Sequence, residues 1–144
     1  MKYVCDAPDR KTWFRIETEG EAAAESELMK HAVEKYFRRE HEKAVQSYTP
    51  TSSMFIERDI GLSRHVQNAM PWFLTLRDNE GTALATAMLP PGGKDDGGAF
   101  RIIIVGPQNG DPYPAHDASI AALGKHLGLL LEHDRCFPYL RYGV

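Results

Sequence analysis

The most apolar run in the sequence lies at positions 100–105, where a phenylalanine and an arginine precede three isoleucines and a valine. Gly106 and Pro107 end the run. A β-branched run bounded in this way is typical of a strand buried on both faces. The run therefore predicts a central strand of a sheet, and the loop that follows it is the first place to look for a functional site.

Further strands are predicted at residues 3–5, 12–17, 54–57, 72–77 and 82–89. The last two are the clearest pair, because only a short turn that ends in Gly81 separates them, and such connections are typical of antiparallel hairpins. Three alanines, Ala83, Ala85 and Ala87, share one face of the second strand. Their small side chains leave room for a helix to lie close to the sheet, or for a ligand.

One long helix is predicted from Thr18 to about Gln46. Thr18 and Glu21 match the capping-box pattern that starts a helix, and apolar residues then share one arc as far as Phe37. Six polar residues follow at 38–43, and Glu40 falls in the middle of the arc. We expect this half of the helix to overhang the sheet, to pack on a second subunit, or to direct Glu40 into a polar cavity.

A C-terminal helix is predicted beyond the loop, with one apolar stripe formed by Ile120, Leu123, Leu127, Leu130 and Leu131. Leu129 falls opposite that stripe, where it is expected to be exposed or to contact a subunit. Together these elements predict the α+β class: a two-layer sandwich of a mainly antiparallel sheet with one long N-terminal helix and one C-terminal helix. We expect residues 1–144 to form a single globular domain.

Composition excludes several classes of protein. Lysine and arginine number 17 against 20 aspartates and glutamates, a net charge of −3, so nucleic-acid binding is not expected. No stretch reaches the ~18–20 apolar residues of a membrane span, and the first residues lack the apolar core of a secretory signal. These features predict a cytoplasmic protein in which Cys5 and Cys136 are reduced packing residues, although a disulfide between them stays open.

Metal ligation and nucleophilic catalysis find no support in the spacing of residues. Two of the six histidines, His126 and His133, share a helical face, but at two turns apart they lie ~10.5 Å from each other and cannot hold one ion alone. No Gly-x-Ser-x-Gly motif is present. The sequence therefore predicts no metal and no cofactor, and it leaves catalytic residues unknown.

The loop at 106–116 is the best candidate for a binding site. It joins the predicted buried strand to a helix N-terminus, where free amides and the helix dipole favour an anion. Its donors and acceptors are predicted to bind a small anionic ligand; they are Gln108, Asn109, Asp111, Tyr113 and His116. The same residues have a structural explanation, since Asp111 or Asp117 can cap the helix and Asn109-Gly110 is ordinary turn chemistry.

The order of the predicted elements between Thr12 and Tyr142 resembles that of the N-acetyltransferase (GNAT) superfamily. That family binds the cofactor pyrophosphate just after the buried strand, through a Gln/Arg-x-x-Gly-x-Gly/Ala motif. The corresponding place here reads Gln108-Asn109-Gly110-Asp111-Pro112-Tyr113, which differs by its proline and its acidic residue. The resemblance implies a small-molecule enzyme of acyltransferase-like architecture that uses the loop 106–116.

The leading expectation from the residues themselves is a non-enzymatic binding or regulatory domain that self-associates. It is based on the lack of a catalytic constellation and on apolar residues beyond an obvious core. The expected partner is a second copy in a homo-oligomer, a dimer, formed through the long helix or the exposed sheet face. The acyltransferase-like enzyme is the alternative.

Overall fold

The computed structural model describes residues 1–50 and 55–140. Its strands form one five-stranded antiparallel sheet in chain order: β1 (Lys2–Ala7), β2 (Lys11–Ile16), β3 (Pro71–Arg77), β4 (Ala83–Pro91) and β5 (Ile103–Val105). The α-helices of the described residues are α1 (Glu19–Met29), α2 (Val33–Gln46), α3 (Phe55–Ala69) and α4 (Tyr113–Leu127). The predicted α+β class and the mainly antiparallel sheet are confirmed.

The β3–β4 hairpin forms as predicted. The Asp78 carboxylate accepts hydrogen bonds from the amides of Glu80 and Thr82, each at 2.9 Å. Gly81 completes the turn at φ 82°, a backbone conformation that costs glycine little. Local turn chemistry therefore sets the pairing of these two strands.

Helices lie against both faces of this sheet. Leu74 and Leu76 of β3 belong to a buried cluster that includes Ile120 of α4. Phe73, which points to the other face because side chains alternate along a strand, packs on Phe37 of α2 with ring centroids 5.1 Å apart. The sheet separates two clusters that each include helical residues. The expectation of two layers is therefore not confirmed.

The single long N-terminal helix was not a correct prediction. The capping box of Thr18 and Glu21 starts α1 as expected, but α1 ends at Met29, and Lys30 is left-handed at φ 55°. A new helix, α2, begins at Val33. Leu28, which the prediction placed on the apolar arc, is 59% exposed.

Glu40 lies on α2, beyond the break between the helices. Its carboxylate lies 3.6 Å from Lys43 Nζ and 3.8 Å from Arg39 Nε. These cations are more than half exposed, so the pairs are surface interactions that stabilise the fold by ~0–1 kcal/mol.

β5 is shorter than predicted, and it lies at the end of the strand order rather than at its centre. Only Ile104 of this strand is fully buried. Its outer edge is covered in part by Phe137, which forms an isolated parallel bridge to Ile103. The Phe137 carbonyl accepts a hydrogen bond from the Ile104 amide at 3.3 Å. The apolar character that suggested a central strand is thus explained by a sheet edge covered from a later part of the chain.

Two other expectations about local structure were wrong. The predicted strand at 54–57 is not formed by residues 55–57, which open α3, and position 54 lies outside the described residues. The C-terminal helix is present, but it ends at Leu127 because Gly128 turns left-handed. The chain that follows buries Leu129, and Leu130 is 59% exposed.

Cys5 and Cys136 are free thiols, as expected, and both are buried in the cluster on the α4 face. Burial raises the pKa of both thiols above the usual range. A thiol with a raised pKa carries little thiolate and is a poor nucleophile. Both cysteines therefore serve as packing residues.

Candidate functional site

The residues predicted to bind a ligand are found along one turn and the start of α4, but they do not converge. Gln108 and Asn109 lie in a single 3-10 turn (Pro107–Asn109) and are both exposed, with φ values of 56° and 59°. The turn is closed by the Gly106 amide, which donates to the Gly110 carbonyl at 2.7 Å. The loop is therefore held by its own backbone.

Asp111 occupies the position where an anion would bind to α4. One carboxylate oxygen accepts the Tyr113 amide at 3.0 Å, and the other lies 2.7 Å from Nε2 of His133. The Tyr113 hydroxyl donates to the Leu131 carbonyl at 2.7 Å, and burial raises its pKa. An anionic ligand at this helix end would meet the carboxylate of Asp111 at close range, which is unfavourable.

His116 lies on α4 and contacts β2. Its Nδ1 atom is 3.3 Å from Nζ of Lys11. Burial, and then the Lys11 charge, lower the pKa of the imidazole. Of the five predicted residues, only Asn109 borders the pocket described next.

A cavity of about 270 Å³ lies between the α1–α2 connection, β4 and the outer end of β5. We call it the His31 pocket. Its wall is formed by His31, Ala32, Val33, Tyr36, Thr86, Met88, Ile103, Val105, Asn109, Phe137 and Pro138. This composition, apolar with a few polar groups, is typical of small-molecule sites, and the volume is slightly below the ~300–1,000 Å³ usual for drug-sized ligands.

A chain of buried and partly buried polar side chains reaches the wall of the His31 pocket. Arg77 Nη2 donates to one oxygen of Glu25 at 2.6 Å, and Thr86 donates to the other at 2.7 Å. Nε2 of His31 lies 2.8 Å from the Thr86 hydroxyl oxygen. Glu25 has no exposed surface and Thr86 is 3% exposed, so this network is shielded from water and electrostatically strong.

The hydrogen bonds of this chain define the tautomer of His31. An ionised carboxylate only accepts, so the single hydroxyl proton of Thr86 is used by Glu25. The Thr86 oxygen must then accept from Nε2 of His31, which leaves Nδ1 as the nitrogen with a lone pair. Burial lowers the pKa of His31, and the Glu25 charge opposes part of that shift. The imidazole is therefore neutral at pH 7.

A second cavity, a groove of about 450 Å³, lies between α2, α3 and the start of β3. Its floor includes Ile16, Phe37 and Met70, and Val45 stands 38% exposed at its side. We call it the α2–α3 groove. The hydrogen-bonded chain of Glu25 and Thr86 is not part of its wall.

Two further findings concern metal binding and membrane spans among the described residues. No three of their histidine, cysteine, aspartate or glutamate side chains are grouped so that they could hold a metal ion. None of the helices in this part of the chain is long and apolar enough to cross a membrane.

Comparison of the chain with protein-family models, with curated proteins and with solved structures finds no match. The site is thus defined by its own geometry.

Sequence reasoning missed His31, Thr86 and Glu25, which are separated by up to 61 positions. One signal could have pointed to Glu25. It follows Ala22 by three residues and precedes Met29 by four, so it lies on the helical face that both of them bury. A carboxylate on such a face requires a partner from elsewhere in the fold.

Proposed function

We propose that this chain is a binding domain that takes a small molecule into the His31 pocket. The observation that carries the proposal is the hydrogen-bonded chain from Arg77 through the buried Glu25 and Thr86 to His31. A buried polar network is costly unless all its members are satisfied. Here it holds one imidazole at a largely apolar wall, which is how a pocket orients a ligand.

The proposal predicts that small fragments bind the His31 pocket and that filling the pocket displaces them. Fragments would be screened by protein-observed NMR, in which binding shifts the amide signals of the pocket wall. Ala32→Phe places a large side chain at an exposed wall position. We expect it to weaken the best fragment at least about tenfold, which corresponds to ~1.4 kcal/mol.

The matched control is Ala118→Phe, which adds the same side chain at an exposed site on α4. It should leave fragment affinity unchanged. A screen in which no fragment moves the wall amides would contradict the proposal. So would an Ala32→Phe variant that binds as well as the original chain.

An acyltransferase-like enzyme is the second candidate, and one observation favours it. Phe137 follows α4 in the chain and forms an isolated parallel bridge to Ile103 of β5, at the place where the element order that resembles the N-acetyltransferase superfamily has its final strand. The carboxylate of Asp111 at the start of α4 opposes it, because a pyrophosphate would be repelled there. Stabilisation by acetyl-CoA in a thermal-shift assay would favour the enzyme, and an unchanged melting temperature would count against it.

Self-association is proposed to use the α2–α3 groove and not the His31 pocket. Val45 and Ile60 stand 38% and 54% exposed on the two helices that form it. Sedimentation velocity at micromolar concentrations should then show a dimer that Val45→Glu dissociates, because the substitution places a charge in an apolar contact. Gln46→Glu adds the same charge at the next position and should leave the dimer intact. A monomer at every concentration would rule out this interface.

A further inference from the structure

We infer that the His31 pocket selects an uncharged ligand that donates a hydrogen bond from a hydroxyl or amide group to Nδ1 of His31. This inference rests on the proposed function, since it specifies the chemistry of the molecule bound there. It follows from three features of the pocket: the tautomer of one side chain, the lack of ionic residues in the wall, and the saturation of the carboxylate behind it.

Nδ1 of His31 already accepts one hydrogen bond, and that bond is long. The donor is the Val33 amide at 3.4 Å, a long distance for a hydrogen bond. A ligand hydroxyl or amide at normal distance would replace this long hydrogen bond with a shorter one, at the cost of the partner of the Val33 amide. The N–H group on Nε2 of His31 donates to the Thr86 hydroxyl. The ring cannot turn this N–H group toward the ligand without breaking that 2.8 Å hydrogen bond.

The wall carries no counter-charge for an ionic ligand. None of the described residues that line the pocket is an aspartate, glutamate, lysine or arginine. Behind the wall, Glu25 already binds Arg77 and Thr86 through both of its oxygens. A carboxylate or ammonium group transferred from water into this cavity would therefore lose hydration without meeting a counter-charge among the residues that line it.

Four probes of nearly equal size test the inference by NMR titration of the wall amides: benzyl alcohol, toluene, benzoate and benzylammonium. One hydrogen bond contributes about 0.5–1.5 kcal/mol, so benzyl alcohol should bind about 2–13-fold more tightly than toluene. Benzoate and benzylammonium should bind more weakly than either. Tighter binding of an ionic probe, or equal binding of toluene and benzyl alcohol, would overturn the inference and leave the pocket in place as a binding site.

A direct measurement of the tautomer separates this inference from the proposed function. Long-range ¹H–¹⁵N spectra of the histidine side chains at pH 7.5 should show His31 as neutral, with its proton on Nε2. Thr86→Val removes the acceptor, and the preference for benzyl alcohol over toluene should fall to less than twofold. A proton on Nδ1 in the original chain would refute the donor rule even where fragments bind. Absence of all four probes from the pocket would refute both proposals.

Discussion

Replacing Glu25 by alanine is expected to lower the free energy of unfolding by about 3–5 kcal/mol, the cost of breaking a buried ion pair from one side. The carboxylate is completely buried, and the Arg77 side chain that pairs with it is only 13% exposed. Removal of one partner leaves a guanidinium without its counter-charge and the Thr86 hydroxyl without its acceptor. For a domain whose total stability is on the order of 5–15 kcal/mol, this is a large fraction.

Urea unfolding followed by tryptophan fluorescence would measure the effect. Glu27→Ala is the matched control, because Glu27 lies on the same helix and is exposed; its effect should stay within ~0.5 kcal/mol. The double variant with Arg77→Ala should cost clearly less than the sum of the two single changes, since residues in one buried pair are coupled. Additive losses, or a Glu25→Ala variant as stable as the original chain, would show that the pair is not formed.

Gly124→Ala is expected to destabilise the protein by about 2 kcal/mol, although alanine is the better helix former by ~1 kcal/mol. A Cβ atom at this position would lie 2.8 Å from the backbone oxygen of Leu129 and 3.4 Å from Cγ of Leu131. The first of these contacts is with backbone, so it can be relieved only by moving the chain that returns after α4. That chain is hydrogen-bonded to the same residue, through the Leu129 amide and the Gly124 carbonyl at 2.9 Å.

Gly20→Ala is the matched comparison for this substitution. Gly20 also lies in a helix, α1, but a Cβ atom there would meet only the Thr18 side-chain oxygen at 3.9 Å, an ordinary contact. The change should therefore leave stability unaltered or raise it by up to ~1 kcal/mol. Thermal or urea unfolding of both variants tests this expectation: a Gly124→Ala variant at least as stable as the original chain would mean that the close approach at Gly124 is relieved at no cost.

Local chemistry allowed parts of the fold to be predicted from the sequence. The capping box at Thr18 and the turn at Asp78–Gly81 depend on residues within four positions of each other, and both form as expected. The break between α1 and α2 could not be foreseen in that way, because residues 30–32 contain neither glycine nor proline. The residues of the break instead make distant contacts, among them the hydrogen bond from His31 to Thr86.

The position of β5 and the end of α4 show two different reasons for error. An apolar run indicates burial but not what covers it, and Phe137 covers the β5 edge from more than thirty positions later in the chain. For α4, the signal was present: Gly128 is suited to the left-handed residue that ends a helix. Because the prediction extended the helical period past Gly128, it placed Leu130 on the buried stripe and Leu129 opposite it. The structure has the reverse.

The candidate site was the least predictable part of the molecule. The loop 106–116 has the polar residues of a binding site, but the structure shows many of their polar groups engaged with the chain itself, as with Asp111 and Tyr113. Whether any of the five binds a ligand stays a prediction. The His31 pocket depends on a helix break, a strand register and a later segment meeting at one place, and no local pattern specifies that meeting.

Phe137 covers the edge of β5 and also lines the His31 pocket, so ligand binding is coupled to the docking of this segment on β5. Phe137 and Pro138 form one side of the His31 pocket, so a chain in which that segment has detached has no closed pocket to offer. A ligand bound there would draw the population toward the docked form, adding about 2.7 kcal/mol at a concentration 100 times its Kd. Protease cleavage near this segment should then slow as ligand is added, and the rate of cleavage would report how often the edge of β5 is uncovered.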